Sequence, residues 1–112
     1  MGHSAERYAT TQDRCADDVP LFLEAAGLDA AKAVRHDWGW LCEIGSMRVY
    51  LDASLESNVV KVYAFSTCVR GSGIRRTFAL HDPVTRQTAA KAVGAYVTKY
   101  SSRPSYFSLY PD

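Results

Sequence analysis

The sequence predicts an α+β domain: an antiparallel meander of four strands, or five, with an N-terminal helix and a C-terminal helix packed on it. Three observations lead there. Residues 38–44 and 47–52 are short apolar-rich runs separated only by Gly45-Ser46, the pattern of a tight β-hairpin. Two further runs with period-two alternation follow, at 58–69 and 75–81. One helix-type stripe precedes the hairpin and another follows the last strand. Strands and helices are therefore segregated rather than interleaved, which favours an antiparallel sheet over βαβ units.

Each element has its own local reason. Residues 1–14 are polar and aperiodic and read as a flexible arm, leaving a single α+β domain over 15–112. The first helix is expected to begin at Asp17 or Asp18, whose carboxylate suits the free N–H groups of a first turn, where Pro20 is tolerated. Leu21, Phe22, Ala25 and Leu28 are assigned to its apolar side, and Gly27 to its stop. Residues 29–36 fit either a continued helix or a loop.

The hairpin is the strongest local signal. Gly at the first central position suits a type II′ turn. A two-residue loop pairs Ile44 with Met47, Cys42 with Val49 and Trp40 with Leu51, so these six share the face expected to meet the core. The same register sets Glu43 opposite Arg48 and Leu41 opposite Tyr50 on the other face. After a turn over 54–57, Val60, Val62 and Ala64 alternate with Lys61, Tyr63 and Phe65. Residues 70–73 (Arg-Gly-Ser-Gly) form a turn, and 75–81 is a fourth strand carrying Phe78 and Leu80. The last helix opens with Asp82 as N-cap and Pro83 at its first position. Its apolar stripe is Ala90, Val93, Val97 and Tyr100, while Ala89, Ala92 and Gly94 permit a close approach to the layer beneath. Residues 105–110 alternate weakly and suit either an edge strand or a segment lying across the sheet.

Composition narrows the function classes. The chain has 112 residues, of which 47% are apolar, an ordinary fraction for one globular domain. No window approaches the ~20 apolar residues of a membrane span. Residues 1–12 lack the hydrophobic stretch of a secretory signal, and Cys15, Cys42 and Cys68 are odd in number and without paired spacing. A cytoplasmic protein without a disulfide framework is expected. Net charge is +1, but residues 1–60 hold 5 Lys/Arg against 10 Asp/Glu and residues 61–112 hold 8 against 2. The basic second half invites a nucleic-acid reading on electrostatic grounds.

A search for chemistry leaves no catalytic residue, metal ligand set or cofactor motif. Cys42 falls on the core face, where apolar neighbours raise a thiol pKa rather than activate it. Cys68 reaches His81 only in a favourable register of the third and fourth strands, and the expected reading of the two is a small buried side chain and a helix cap. His3, His36 and His81 are scattered, without H-x₃₋₅-H or a Cys partner at finger spacing. The run 70–76 (Arg-Gly-Ser-Gly-Ile-Arg-Arg) is neither a Walker loop nor G-x-G-x-x-G, and it joins two strands rather than opening a helix. The acidic residues Asp13, Asp17, Asp18, Asp52 and Glu56 lie in polar, turn-like contexts where capping explains them. No enzyme is expected.

Two features exceed what folding requires. Leu41, Tyr50, Tyr63 and Phe65 fall on the second face of the sheet, where a solvated surface would be more polar. Either the tail bearing Tyr106, Phe107 and Tyr110 covers that face or a partner docks there. The chain also carries 7 tyrosines, a residue enriched at interfaces because it offers large contact area at small entropic cost. A protein-binding module using Leu41, Tyr50, Tyr63, Phe65, Tyr106 and Tyr110 is therefore the first functional expectation. Small adaptors, inhibitors and chaperone-like proteins, or a homodimer with an isologous sheet contact, fit that class. The alternative is a nucleic-acid-binding domain in which tyrosines stack bases beside Arg70, Arg75, Arg76 and Arg103. The RNP1 pattern of the RNA-recognition module is absent, since residues 59–69 hold no Gly and only Lys61 as a basic residue.

From the helix at 21–28 through the hairpin to the third strand, residues 17–68 are similar in layout to the helix–three-strand opening of type III secretion chaperones and YbjN-like proteins. The likeness is one of pattern, without a diagnostic motif. Those folds place a helix after the third strand, whereas this chain runs on into the strand at 75–81. What the likeness implies is a protein-binding module that can dimerise.

Overall fold

The computed structural model describes residues 15–53, 58–69 and 71–101. The element order is helix α1 (Asp18–Ala25), a 3₁₀ turn (Ala30–Lys32), β1 (Ala33–His36), β2 (Gly39–Ile44), β3 (Met47–Asp52), β4 (Val59–Ser66), β5 (Ile74–Ala79) and helix α2 (Pro83–Ser101). The strands form one antiparallel sheet in the order β1-β2-β3-β4-β5, so every neighbour in space is also the neighbour in sequence. The expected arm at 1–14, the turn at 54–57 and the segment 105–110 lie outside the described residues.

The hairpin follows the register set by its loop. Ile44 pairs with Met47, Cys42 with Val49 and Trp40 with Leu51, while Glu43 stands opposite Arg48 and Leu41 opposite Tyr50. Gly45 has φ 57 and Ser46 has no positive φ, as a type II′ turn requires. Across the next pair Tyr50 faces Tyr63 and Arg48 faces Phe65, and β5 then sets Arg75 opposite Tyr63.

The fifth strand comes from residues 29–36, the stretch that suited helix and loop equally. Asp29 caps a single 3₁₀ turn by accepting the Ala31 N–H at 3.0 Å, and the chain then extends as β1 against β2. A two-residue turn at Asp37-Trp38 closes this pair, with His36 opposite Gly39. Trp38 therefore leaves β2, whose first residue is Gly39. A Cβ on Gly39 would lie 1.9 Å from the Leu51 carbonyl oxygen, so the tight exit from this turn needs glycine.

Helix α1 corrects two expectations. Its buried apolar residues are Val19, Phe22 and Leu23, followed by Ala26 at the C-cap, while Leu21 is 48% exposed. Spacing i, i+3, i+4, i+7 identifies the true stripe, one residue out of phase with a stripe that includes Leu21. Asp17 has helical dihedrals and makes no side-chain cap, and Asp18 is buried rather than a surface cap. Asp18 Oδ2 accepts the backbone N–H of His81 at 2.7 Å, and Oδ1 accepts from Arg86 Nη1 at 3.2 Å. One carboxylate thereby ties α1 to the junction between β5 and α2. The helix ends as Gly27 predicts: Gly27 has φ 79, its N–H reaches Glu24 O, and Leu28 N–H reaches Leu23 O at 2.8 Å, which is a Schellman closure.

Helix α2 begins where its N-cap places it, with Asp82 Oδ1 accepting the Val84 N–H at 3.1 Å. Ala89, Ala90, Val93 and Val97 face inward, and Tyr96 and Tyr100 are half-buried at the margin. Both helices pack on the sheet face that carries Trp40, Cys42, Val49, Leu51, Val60, Val62 and Phe78. Phe22 stacks on Phe78 with centroids 4.9 Å apart. Full burial of side chains such as Phe22 and Leu23 contributes about 1.5–3 kcal/mol each, which is why the short α1 is held without strong intrinsic helix stability. The helices meet at Gly94, where an added Cβ would lie 2.6 Å from the Ala26 carbonyl oxygen. No helix among the described residues is long and apolar enough to cross a membrane.

Candidate protein-docking face

With α1 and α2 on one face, the opposite face of the sheet is left to its own side chains. Alternation along the strands puts Leu41, Tyr50, Tyr63 and Phe65 there, in adjacent rows of β2, β3 and β4. None of the four belongs to the core cluster or to the half-buried side chains packed against it. All four are only partly buried, and among the described residues no helix covers them.

Their partial burial comes from one another. Tyr50 and Phe65 stack with centroids 5.8 Å apart, and Trp38 lies against Tyr50 at 5.5 Å. His36 stacks on Trp38 at 5.1 Å, which extends the row to the β1 edge. On the other side the Arg75 guanidinium lies 5.2 Å from the centroid of the Tyr63 ring. Trp38, Tyr50, Asp52, Tyr63 and Phe65 together line one shallow hollow. Aromatic rings held against one another in this way lose little further side-chain freedom on contact with a partner.

Trp38 is the member of this aromatic face that sequence reasoning missed. Counted by strand parity from Trp40, it belongs on the core face. The turn at Asp37-Trp38 breaks that parity and carries the indole round to the aromatic side. The readable signal was the Asp37-Trp38-Gly39 run, in which Asp37 and the following glycine favour a tight two-residue turn like the one at Gly45-Ser46.

The charged rim is mixed. Arg48 binds Glu43 at 3.0 Å and also donates to the Gly45 carbonyl at 2.8 Å, which folds it back over the β2–β3 turn. Asp52 and Lys61 stand opposite each other at the other end of the same strands. Cations Arg48, Lys61 and Arg75 therefore share this face with anions Glu43 and Asp52. Of the arginines proposed for nucleic acid, the two among the described residues do not converge. Arg75 and Arg76 are consecutive on β5, so Arg75 joins the aromatic face while Arg76 lies opposite Val62 on the other. Arg70 and Arg103 lie outside the described residues, as do Tyr106 and Tyr110.

The residues weighed for catalysis are not brought together. Val59 pairs with Ala79, so His81 lies beyond one end of β4, and Cys68 follows Ser66 at the other end. Cys42 is buried beneath the helices with its Sγ 4.0 Å from the Asp29 carbonyl oxygen. Burial and the nearby Asp29 carboxylate push its thiol pKa up, against the pull of Lys32. Among the described residues no group of three His, Cys, Asp or Glu side chains could hold a metal ion. No family model, curated protein or solved structure matches this chain.

Proposed function

We propose that this protein is a non-enzymatic, cytoplasmic protein-binding module that docks through the aromatic sheet face formed by Leu41, Tyr50, Tyr63 and Phe65, extended by Trp38. One observation carries the reading: a continuous, half-exposed aromatic row lies on the sheet face away from both helices. Among the described residues the buried core lies on the other side of the sheet and includes none of these side chains. Tyrosine and tryptophan anchors surrounded by a rim of both charge signs are the composition of a protein interface. A small adaptor, inhibitor or chaperone-like protein would use such a surface.

Nucleic acid is the weaker fit. The rings resemble a base-stacking platform, and Arg75 over Tyr63 is a basic group in the right place. Phosphate binding draws on several clustered cations, however, and here two carboxylates interrupt them while Arg76 points to the opposite face. The test is paired substitution of Tyr50→Ala and Tyr63→Ala. Loss of two interface tyrosines lowers partner affinity by about 2 kcal/mol or more where they act as anchors. Unchanged affinity refutes the surface, and binding that collapses steeply with salt moves the assignment to nucleic acid.

A further inference from the structure

We infer that the partner on the aromatic face is a second copy of this chain, packed sheet on sheet about a two-fold axis that crosses the strands at Tyr50. The inference rests on the protein-docking reading above and narrows its partner. It is carried by the way charge is disposed about Tyr50.

On β3 the face presents Arg48, Tyr50 and Asp52 in succession, a cation and an anion equally spaced on either side of one ring. Rotation by 180° about an axis parallel to the sheet, lying in the interface above Tyr50 and perpendicular to the strands, reverses strand direction. It lays Arg48 of one copy over Asp52 of the other, twice. The neighbouring strands obey the same operation. Leu41 and Tyr63 flank Tyr50 at the same level, so each meets its own counterpart and the apolar row closes on itself. Lys61, opposite Asp52, comes over the ring of Phe65, opposite Arg48. Glu43, also opposite Arg48, comes over Gly39 and its neighbour His36. Only Arg75 meets its own like charge, at the β5 edge, where it already rests on Tyr63.

Two sheets packed face to face keep their strands within roughly 30° of one another, so the correspondence holds over the three central strands. Arg48 already binds Glu43 and the Gly45 and Met47 carbonyls within its own chain, and a guanidinium carries enough N–H groups to serve a second carboxylate across the interface. Two-fold symmetry needs such self-complementarity and nothing else, whereas a face matched to a foreign protein has no reason to place opposite charges symmetrically about one ring.

Charge reversal tests the operator as well as the dimer. Sedimentation velocity or light scattering over a concentration series reads the dimer dissociation constant of the full chain, of Arg48→Asp, of Asp52→Arg and of the double swap. Each single reversal juxtaposes like charges twice per dimer and is expected to raise the constant by about tenfold or more. The double swap restores each pair with its signs exchanged and is expected to recover most of the affinity. A thermal melt on each variant shows that the fold survives. A chain that stays monomeric to millimolar concentration overturns the inference, as does a dimer indifferent to the single reversals or one not rescued by the swap. Should a different protein bind the face in a Tyr50- and Tyr63-dependent way while the chain remains monomeric, the self-association falls and the docking reading stands.

Discussion

Asp18 is the side chain whose removal reports most on how the fold is held together. Its carboxyl is 4% exposed and accepts from two donors on another part of the chain, the His81 N–H and the Arg86 guanidinium, itself 15% exposed. Replacing Asp18 with Ala strands a nearly buried cation and a backbone donor. Removing one partner of a buried pair costs about 3–5 kcal/mol, and the residual exposure of Arg86 places this case near the lower end. Against a total stability of about 5–15 kcal/mol for a domain of this kind, such a loss is large. Thermal unfolding should fall by roughly 10–20 °C. Asp18→Asn keeps an acceptor for His81 and loses only the charge, for a cost of about 1–2 kcal/mol. The double variant Asp18→Ala with Arg86→Met removes the stranded cation as well, so it should be more stable than Asp18→Ala alone, with a coupling of about 1–3 kcal/mol. Urea unfolding of the parent protein, these three variants and Arg86→Met alone measures all three numbers. A cost below about 1 kcal/mol for Asp18→Ala, or strict additivity in the double variant, would refute the view that this carboxylate locks α1 to the β5–α2 junction.

Further outcomes follow from single positions. Gly94→Ala should destabilise by about 1–3 kcal/mol despite alanine's better helix propensity, because the new Cβ meets the backbone oxygen of Ala26 at 2.6 Å. His81 is the one non-glycine residue with positive φ, at 59, among the described residues, so His81→Gly should raise the urea midpoint, by up to about 1 kcal/mol of stability, while leaving the N–H to Asp18 in place. Iodoacetamide should modify half-exposed Cys68 before Cys15 or Cys42, as read by mass spectrometry; Cys42 reacting first would contradict its burial. The raised Cys42 pKa also sets a sign. The folded state holds the thiol proton more tightly than the unfolded state, so this contribution is complete below the ordinary thiol pKa and is lost as pH rises through the folded value. Cys42→Ala should flatten the alkaline part of the stability profile.

Legibility in the sequence tracked how local each determinant is. The β2–β3 hairpin was readable to the residue because a two-residue loop fixes register, and one register satisfied both an apolar row and the Glu43–Arg48 pair. The start of α2 was readable for a similar reason, since Asp82-Pro83 is a self-contained signal. Strand β1 was not, because four residues of mixed polarity become a strand only when β2 offers its edge. The role of Asp18 depends on residues more than sixty positions away, so its carboxylate looked like a surface cap. The same division holds at the aromatic face. Leu41, Tyr50, Tyr63 and Phe65 were placed by alternation, whereas Trp38 reached them through a turn that parity alone could not anticipate.

Site-specific photo-crosslinking tests the docking face most directly. A benzophenone amino acid replaces Leu41 on the aromatic face, and in a separate protein Val84, which is 72% exposed on α2 away from that face. Both are irradiated in lysate with and without nuclease treatment and the adducts are identified by mass spectrometry. The account predicts specific protein adducts from position 41, a second copy of this chain among them, and none in common from position 84. Adducts from position 84 alone, or adducts from position 41 that disappear with nuclease, would contradict it.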